Sequence, residues 1–147
     1  MKFADITPGR VIVLGPASLS EADIVAYARA WDPQWFHTDA ERARQSRWGG
    51  LIASGWQSCV VAMKLAVEGV LADSESFGSP GLEYVKWPAP VRPGDRLMLT
   101  ITVLDARRSQ SRPGLGIVRW RWELANERGE TAVDLVATSL FDLGAAA

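Results

Sequence analysis

The chain holds one cysteine, Cys59, and one histidine, His37, among 147 residues. A lone cysteine excludes an internal disulfide framework and a cysteine-rich zinc site, and a lone histidine excludes a multi-histidine metal centre, so no metal ligands are expected. Neither sign of charge dominates: 16 basic side chains stand against 17 acidic ones, for a formal net charge of -1. That balance lacks the basic excess of a nucleic-acid binder. No apolar run of membrane length is uninterrupted, because Gln57, Lys64 and Glu68 break the stretch from Leu51 to Leu71, so no membrane partner is expected. Met1 to Asp5 carries no apolar segment behind a basic start, so no signal peptide is expected, and a reducing, cytoplasmic setting follows. Tryptophan, in contrast, is abundant, with four of its seven copies between positions 31 and 56.

The periodicities predict one α+β domain over 1–147, with a frayed tail over 142–147. Val11 to Leu14 reads as a first strand bounded by Gly15-Pro16. Ser20 is a helix N-cap with Asp23 at the capping-box position, and Pro33 ends that helix near Asp32. A second short helix starts at Asp39 and carries Glu41 to Arg44. Over Leu51 to Leu71 the residues Ile52, Trp56, Val60, Met63, Val67 and Val70 follow helical spacing, with Gln57, Lys64 and Glu68 as a narrow polar stripe. This reads as a buried core helix. Tyr84–Trp87, Leu97–Val103, Val118–Leu124 and Thr131–Phe141 alternate or read as strands, with a tight loop at Asn126–Gly129. The expected architecture is an antiparallel sheet of five or six strands around one long helix. Met98, Leu104 and Ile117 are expected on the outer face of that sheet.

Asp32 and His37 stand five residues apart across a helix end and a loop, in the run Asp32-Pro33-Gln34-Trp35-Phe36-His37. A carboxylate and an imidazole so placed can share one water and divide general acid–base work between them. Alternatively, Asp32 caps local backbone and His37 the next helix. Trp35 and Phe36 are expected to shield the pair. Gly49-Gly50-Leu51-Ile52-Ala53-Ser54-Gly55 brackets the start of the apolar helix, where free N–H groups suit a developing oxyanion. Glycines there also simply permit close packing.

The run from Ser20 through Asp32, His37 and Gly55 resembles the MaoC-like acyl dehydratases, relatives of (R)-specific enoyl-CoA hydratases with the hotdog fold. Their Asp-x-Asn-Pro-aliphatic-His motif is followed by a glycine-rich lead into the hotdog helix. Gln34, Trp35 and Phe36 depart from that motif. The resemblance extends to Pro88–Asp95 and Asn126–Glu130 and covers roughly positions 5 to 142. It implies reversible syn hydration of a trans-2-enoyl-CoA to an (R)-3-hydroxyacyl-CoA, with Asp32 and His37 catalytic. Gln34, Ser54, Gly55 and Trp56 would contact substrate, the Gly55 N–H taking the thioester carbonyl. No metal or redox cofactor is implied; coenzyme A belongs to the acyl-thioester substrate. The resemblance further suggests a homodimer or larger homo-oligomer joined edge to edge. Arg108 and Arg112, in the loop-like stretch Asp105 to Gly116, are candidates for the carrier phosphates, against the alternative of a solvated hairpin tip. Two other functions compete: a hotdog acyl-CoA thioesterase and a non-catalytic acyl-thioester binding protein. The first would need an acid in the central helix, and positions 54–67 contain none; Glu68 comes some three turns after Gly55, at about 3.6 residues per turn.

Overall fold

In the computed structural model, which describes residues 1–144, five antiparallel strands follow the order β1-β3-β4-β5-β2. They are β1 (Val11–Ala17), β2 (Ser76–Lys86), β3 (Leu97–Arg108), β4 (Leu115–Ala125) and β5 (Thr131–Asp142). Between β1 and β2 lie α1 (Glu21–Trp31), α2 (Trp35–Thr38), α3 (Ala40–Arg44) and α4 (Gly55–Ala66), the last continued by a single π turn at Val67–Leu71. The sheet wraps α4, which packs across β1, β3, β4 and β5. This is the hotdog fold. No helix among the described residues is long and apolar enough to cross a membrane. The tail expected over 142–147 falls in part on 145–147, outside the described residues. Of the rest, Asp142 ends β5, and the Leu143 N–H is tied to the Gly114 carbonyl at 2.8 Å.

The period-two pattern of the central strands is realised directly. Val118, Trp120, Trp122 and Leu124 are buried on one face of β4, opposite Leu97, Leu99, Ile101 and Val103 on the same face of β3. On the outer face, Met98 and Ile117 are half-buried and Leu104 is exposed. That face is more ionic than apolar. Arg121 grips Asp134 in a bidentate pair (Nε–Oδ1 2.9 Å, Nη2–Oδ2 3.0 Å), Tyr84 donates to the same carboxylate, and Arg119 pairs with Glu83. The Arg121 guanidinium holds the Asp134 carboxyl below the usual carboxylate range.

The first strand outruns its expected end, continuing through Gly15-Pro16 to Ala17 with a shift of register against β3. Gly15 has φ 125°, and a Cβ there would lie 2.9 Å from the Leu97 carbonyl oxygen, so the bulge demands glycine. Pro16 is tolerated because β1 is an edge strand.

The core helix departs most from expectation. Of the apolar stretch from Leu51, the helix takes up only the part from Gly55 on, with Ser54 as its N-cap. Leu51 to Ser54 form a buried extended lead, its backbone held by Ile52 N–H to Phe36 O (3.3 Å) and Ala53 N–H to Val91 O (2.8 Å). The faces are exchanged only in part: Ile52 and Val70 are buried and Lys64 and Glu68 exposed, as expected. Trp56, Val60, Met63 and Val67 are 57%, 53%, 50% and 40% exposed, while Gln57, Ser58, Val61, Ala62, Leu65 and Ala66 are buried. Small residues let α4 sit flush on the sheet, and Gln57 is admitted because its Nε2 donates to the Asp23 carbonyl of α1 at 3.0 Å.

Ala62 has no exposed surface at this contact. Ala62→Leu should lower the unfolding free energy by about 1–3 kcal/mol through overpacking, as measured by denaturant titration.

Candidate active site

Asp32 is the C-cap of α1. Its N–H still bonds to the Ala28 carbonyl (2.8 Å), but its backbone has left helical geometry (φ −152°, ψ 69°) because Pro33 follows. The turn at Gln34 restarts the chain as α2, which carries His37 into the interior at 4% exposure. There the ring Nδ1 lies 2.7 Å from the Ile52 carbonyl. A carbonyl only accepts, so Nδ1 carries a hydrogen, and Nε2 is left to face the cleft side. Nε2 faces Asp32 Oδ2 at 3.3 Å.

The Asp32 carboxylate takes no backbone N–H. Its Oδ2 accepts from the Ser54 hydroxyl (2.7 Å) and its Oδ1 from the Gln34 amide (2.8 Å). Desolvation pushes its pKa up, but the two hydrogen bonds and the adjacent His37 outweigh that push and hold it below the usual carboxylate range. Ser54 also caps α4, accepting from the Trp56 N–H at 3.3 Å, so one hydroxyl links the helix start to the carboxylate. The capping alternative for Asp32 and His37 therefore does not describe them. Asp39, not His37, caps α3, through the Arg42 N–H at 3.0 Å.

These groups open onto a cleft of about 380 Å³. One wall is Asp32, Gln34, Phe36 and His37; a second is Ile52 to Trp56; the third is Trp87 to Pro90, with Trp48 at the margin. Phe36 packs edge-on against the His37 ring (4.4 Å between centroids) and shields it as expected. Trp35 does not line the cleft. Instead it lies under the Arg42 guanidinium, 4.5 Å from ring centroid to Cζ. Trp48 takes the shielding role, 6.0 Å from Phe36.

Trp87 is the residue that sequence reasoning missed. It stands just beyond the last paired residue of β2 and meets Trp56 edge-to-face at 5.1 Å. A Cβ on Gly55 would lie 2.7–2.8 Å from its indole, so glycine is required for the ring to rest on the helix start. Both readings of Gly55 thus find a basis in the structure. Its N–H, at the first position of α4, makes no hydrogen bond within the described residues, and the residue lines the cleft. The Pro88-Ala89-Pro90 run after a strand was the available signal for this wall.

Asp32, His37, Gln34, Ser54, Gly55 and Trp56 are thereby brought together around one cleft. Arg108 and Arg112 are not. They sit at the β3–β4 turn, where Arg108 donates to the Pro113 carbonyl (3.0 Å) and the Arg112 N–H to Ser109 (3.3 Å). Register places that turn beside the start of β2, through Gly116 opposite Phe141 and Phe141 opposite Ser76. The cleft lies past the other end of β2, eleven residues on, or roughly 35 Å along a strand. Glu68 pairs with Lys64 on the exposed side of the helix and does not reach the cleft either. Among the described residues no group of three or more His, Cys, Asp or Glu is arranged to hold a metal ion.

The depressed Asp32 value has a consequence for stability. It favours the fold above the unfolded carboxylate value, about 3.9, and that contribution disappears as pH falls through the lower folded value. Asp32→Asn should flatten this part of the stability profile between neutral and acidic pH in denaturant titrations. Ser54→Ala should raise the Asp32 pKa, as followed by carboxyl ¹³C NMR, and cost about 0.5–2 kcal/mol as a lost cap.

Comparison with known proteins gives the fold and the family. The crystal structure of a MaoC-like dehydratase from Rhodospirillum rubrum is 37% identical and superposes with a TM-score of 0.87, over 95% of this chain and 94% of that one. The uncharacterized protein YdeM of Bacillus subtilis is 30% identical over 115 residues, 78% of this chain and 82% of its own. The R-hydratase PhaJ1 of Pseudomonas aeruginosa, 23% identical, shares the fold with a TM-score of 0.78 over 97% of this chain and 86% of its own. Two longer relatives are matched over 39% of their length (protein MaoC of Klebsiella aerogenes) and 30% (a mesaconyl-CoA hydratase of Haloarcula marismortui). The MaoC-like domain matches residues 4–119, and the chain belongs to the MaoC-like dehydratase family.

Proposed function

We propose that the protein catalyses reversible syn hydration of a trans-2-enoyl-CoA to an (R)-3-hydroxyacyl-CoA. The observation that carries this reading is the approach of His37 Nε2 to Asp32 Oδ2 at 3.3 Å, with the ring held through Nδ1 by the Ile52 carbonyl. At that distance a water cannot lie between the two atoms, but one seated beside them on the cleft side can bond to both. Water adds across the C2=C3 bond: its oxygen bonds to C3 while one of the pair takes its proton. A proton is returned to C2 from the same side, which makes the addition syn. Charge that builds on the thioester oxygen meets the Gly55 N–H and the positive end of the α4 dipole. Gln34 and Ser54 hold the carboxylate, and Trp56 and Trp87 flank the thioester. No metal or redox cofactor takes part, and coenzyme A enters only as the carrier half of the substrate. The R-hydratase and mesaconyl-CoA hydratase named among the similar proteins support this class of reaction. A thioesterase reading has no carboxylate on α4 facing the cleft to support it.

We place the enzyme in the cytoplasm as a homodimer. Trp56, Val60, Met63 and Val67 of α4 join Phe77 and Leu82 of β2 in one exposed apolar region, beside a strand whose outer edge is open.

Asp32→Asn and His37→Gln should each lower kcat by about 10²–10⁴-fold while the protein stays folded at the assay temperature, as far-ultraviolet circular dichroism reports. Because both act on one water, the double variant should be little slower than either single one. Loss of the conjugated enoyl absorbance, measured across a panel of enoyl-CoA substrates, reads this; full activity in a folded single variant would return the site to the binding-protein reading. Light scattering at micromolar concentration should give twice the chain mass of 16.0 kDa. Val60→Asp combined with Val67→Asp should shift it to the single-chain value.

A further inference from the structure

Arg92, Arg119 and Arg121 are half-buried, and every other arginine of the chain is exposed. Arg119 is paired with Glu83 and Arg121 with Asp134. Arg92 has no carboxylate in ion-pair contact among the described residues. Its Nη2 donates to the Trp48 carbonyl at 2.6 Å, while its Nε and Nη1 make no hydrogen bond there. A guanidinium is always charged and carries five donors, so withdrawing it from water without an anion is unfavourable, and a bound anion offsets that cost.

This guanidinium is set into a cavity of about 380 Å³ whose lining includes Glu21, Arg44, Gly49, Gly50, Leu51 and Arg92. Arg92 Nη1 lies 3.4 Å from the point where a Cβ of Gly50 would stand, so a side chain there would crowd it. The N–H groups of Gly50 and Leu51 make no hydrogen bond among the described residues, although Leu51 is buried. Arg44 is bonded to Glu41 through Nη1, and its other nitrogens are free. Glu21 is the one carboxylate of the lining. Donors thus gather from α3, from the loop after it and from the Arg92 turn, against a single acid. Guanidinium and backbone N–H groups together are the donors that suit a phosphate.

The cavity and the cleft are lined by successive parts of the same two segments. Trp48 and Ile52 to Trp56 line the cleft, and Gly49 to Leu51 the cavity; Trp87 to Pro90 line the cleft, and Arg92 and Pro93 the cavity. Glu21 and Asp32 mark the two spaces at opposite ends of α1, eleven residues apart, or about 16 Å along the helix. That separation is comparable to the reach of an extended pantetheine arm from its sulfur to its phosphate.

We infer that this cavity holds the phosphate of the substrate's pantetheine arm, with Arg92 as its principal ligand and Glu21 as the charge that opposes it. The inference rests on the acyl-thioester reading above, but its test reads binding rather than turnover. Phosphopantetheine and pantetheine, which differ by one phosphate, are compared by titration calorimetry at low salt. The wild-type protein should bind the phosphorylated arm about ten-fold more tightly, the worth of one charge-assisted hydrogen bond, and added salt should shrink the difference. Arg92→Gln should abolish it and Arg108→Gln should keep it. Glu21→Gln should widen it by about three-fold, the size of one screened charge contact. In the wild-type protein the Gly50 and Leu51 amide ¹⁵N resonances should move with phosphopantetheine and stay in place with pantetheine.

Equal binding of the two arms by the wild-type protein overturns the inference, as does a difference that survives Arg92→Gln. Should that variant fail to fold, unmoved Gly50 and Leu51 resonances in the wild-type protein overturn it by themselves. If inorganic phosphate moves them as fully at the same concentration, the site takes a free anion and the assignment to the pantetheine arm falls. Phosphate-dependent binding of the arm without hydration of any enoyl-CoA removes the hydratase reading and leaves the site in place.

Discussion

The flush packing of α4 against the sheet is the contact on which the rest of the molecule depends. Ala62 and Ala66 are wholly buried and Ser58 nearly so, which brings the helix backbone close to four strands at once. Large side chains on this face would hold the axis further out. The position of the axis in turn sets the position of Ser54, and Ser54 is the link to Asp32. The same closeness seats Trp87 against Gly55, which has no Cβ to obstruct it. A packing constraint in the core thereby becomes a geometric constraint on a carboxylate, a buried imidazole and a free N–H around the cleft.

Two aspartates show how similar electrostatics serve different ends. Asp134 is held low chiefly by Arg121, in a bidentate pair that uses its lone pairs and closes the outer face of the sheet. Asp32 is also held low, against a desolvation penalty, by two neutral donors together with His37. No arginine neutralises it. A carboxylate stabilised in this way stays ionised yet keeps an oxygen directed at the imidazole, so it remains available to a water or a substrate. The first arrangement is suited to holding strands together, the second to moving a proton.

The large apolar residues of α4 complement this picture. A helix apolar around most of its circumference can be buried on either side, and here the small side was chosen for the sheet. The bulky side is left beside the open edge of β2, where a second copy of the chain can cover it. Trp56 belongs both to this exposed surface and to the mouth of the cleft.

Much of this was legible from the residues. Strong local signals carried the capped start of α1 at Ser20 with its stop before Pro33, the N-cap at Asp39 and the alternation of β3 and β4, each set by atoms close in the chain. The family motif brought Asp32, His37, Ser54 and Gly55 forward as one group. What remained illegible was decided by atoms distant in sequence. Which face of α4 is buried depends on how closely the sheet approaches, and hydropathy ranks Trp and Met as core residues regardless of that distance. The place of Leu51 to Ser54 outside the helix depends on hydrogen bonds from Phe36 and Val91, and the shielding role passed from Trp35 to Trp48 because Arg42 and Phe36 fixed where each ring lies. Strand register carried Arg108 and Arg112 away from the cleft and brought Trp87 to it. The sequence by itself determined most of the elements and the caps at Ser20 and Asp39, because those follow from local chemistry, and its family motif singled out Asp32 and His37. The choice of buried face, the walls of the cleft and the orientation of the pair were left to tertiary structure, because each depends on close packing between segments that meet only in the fold.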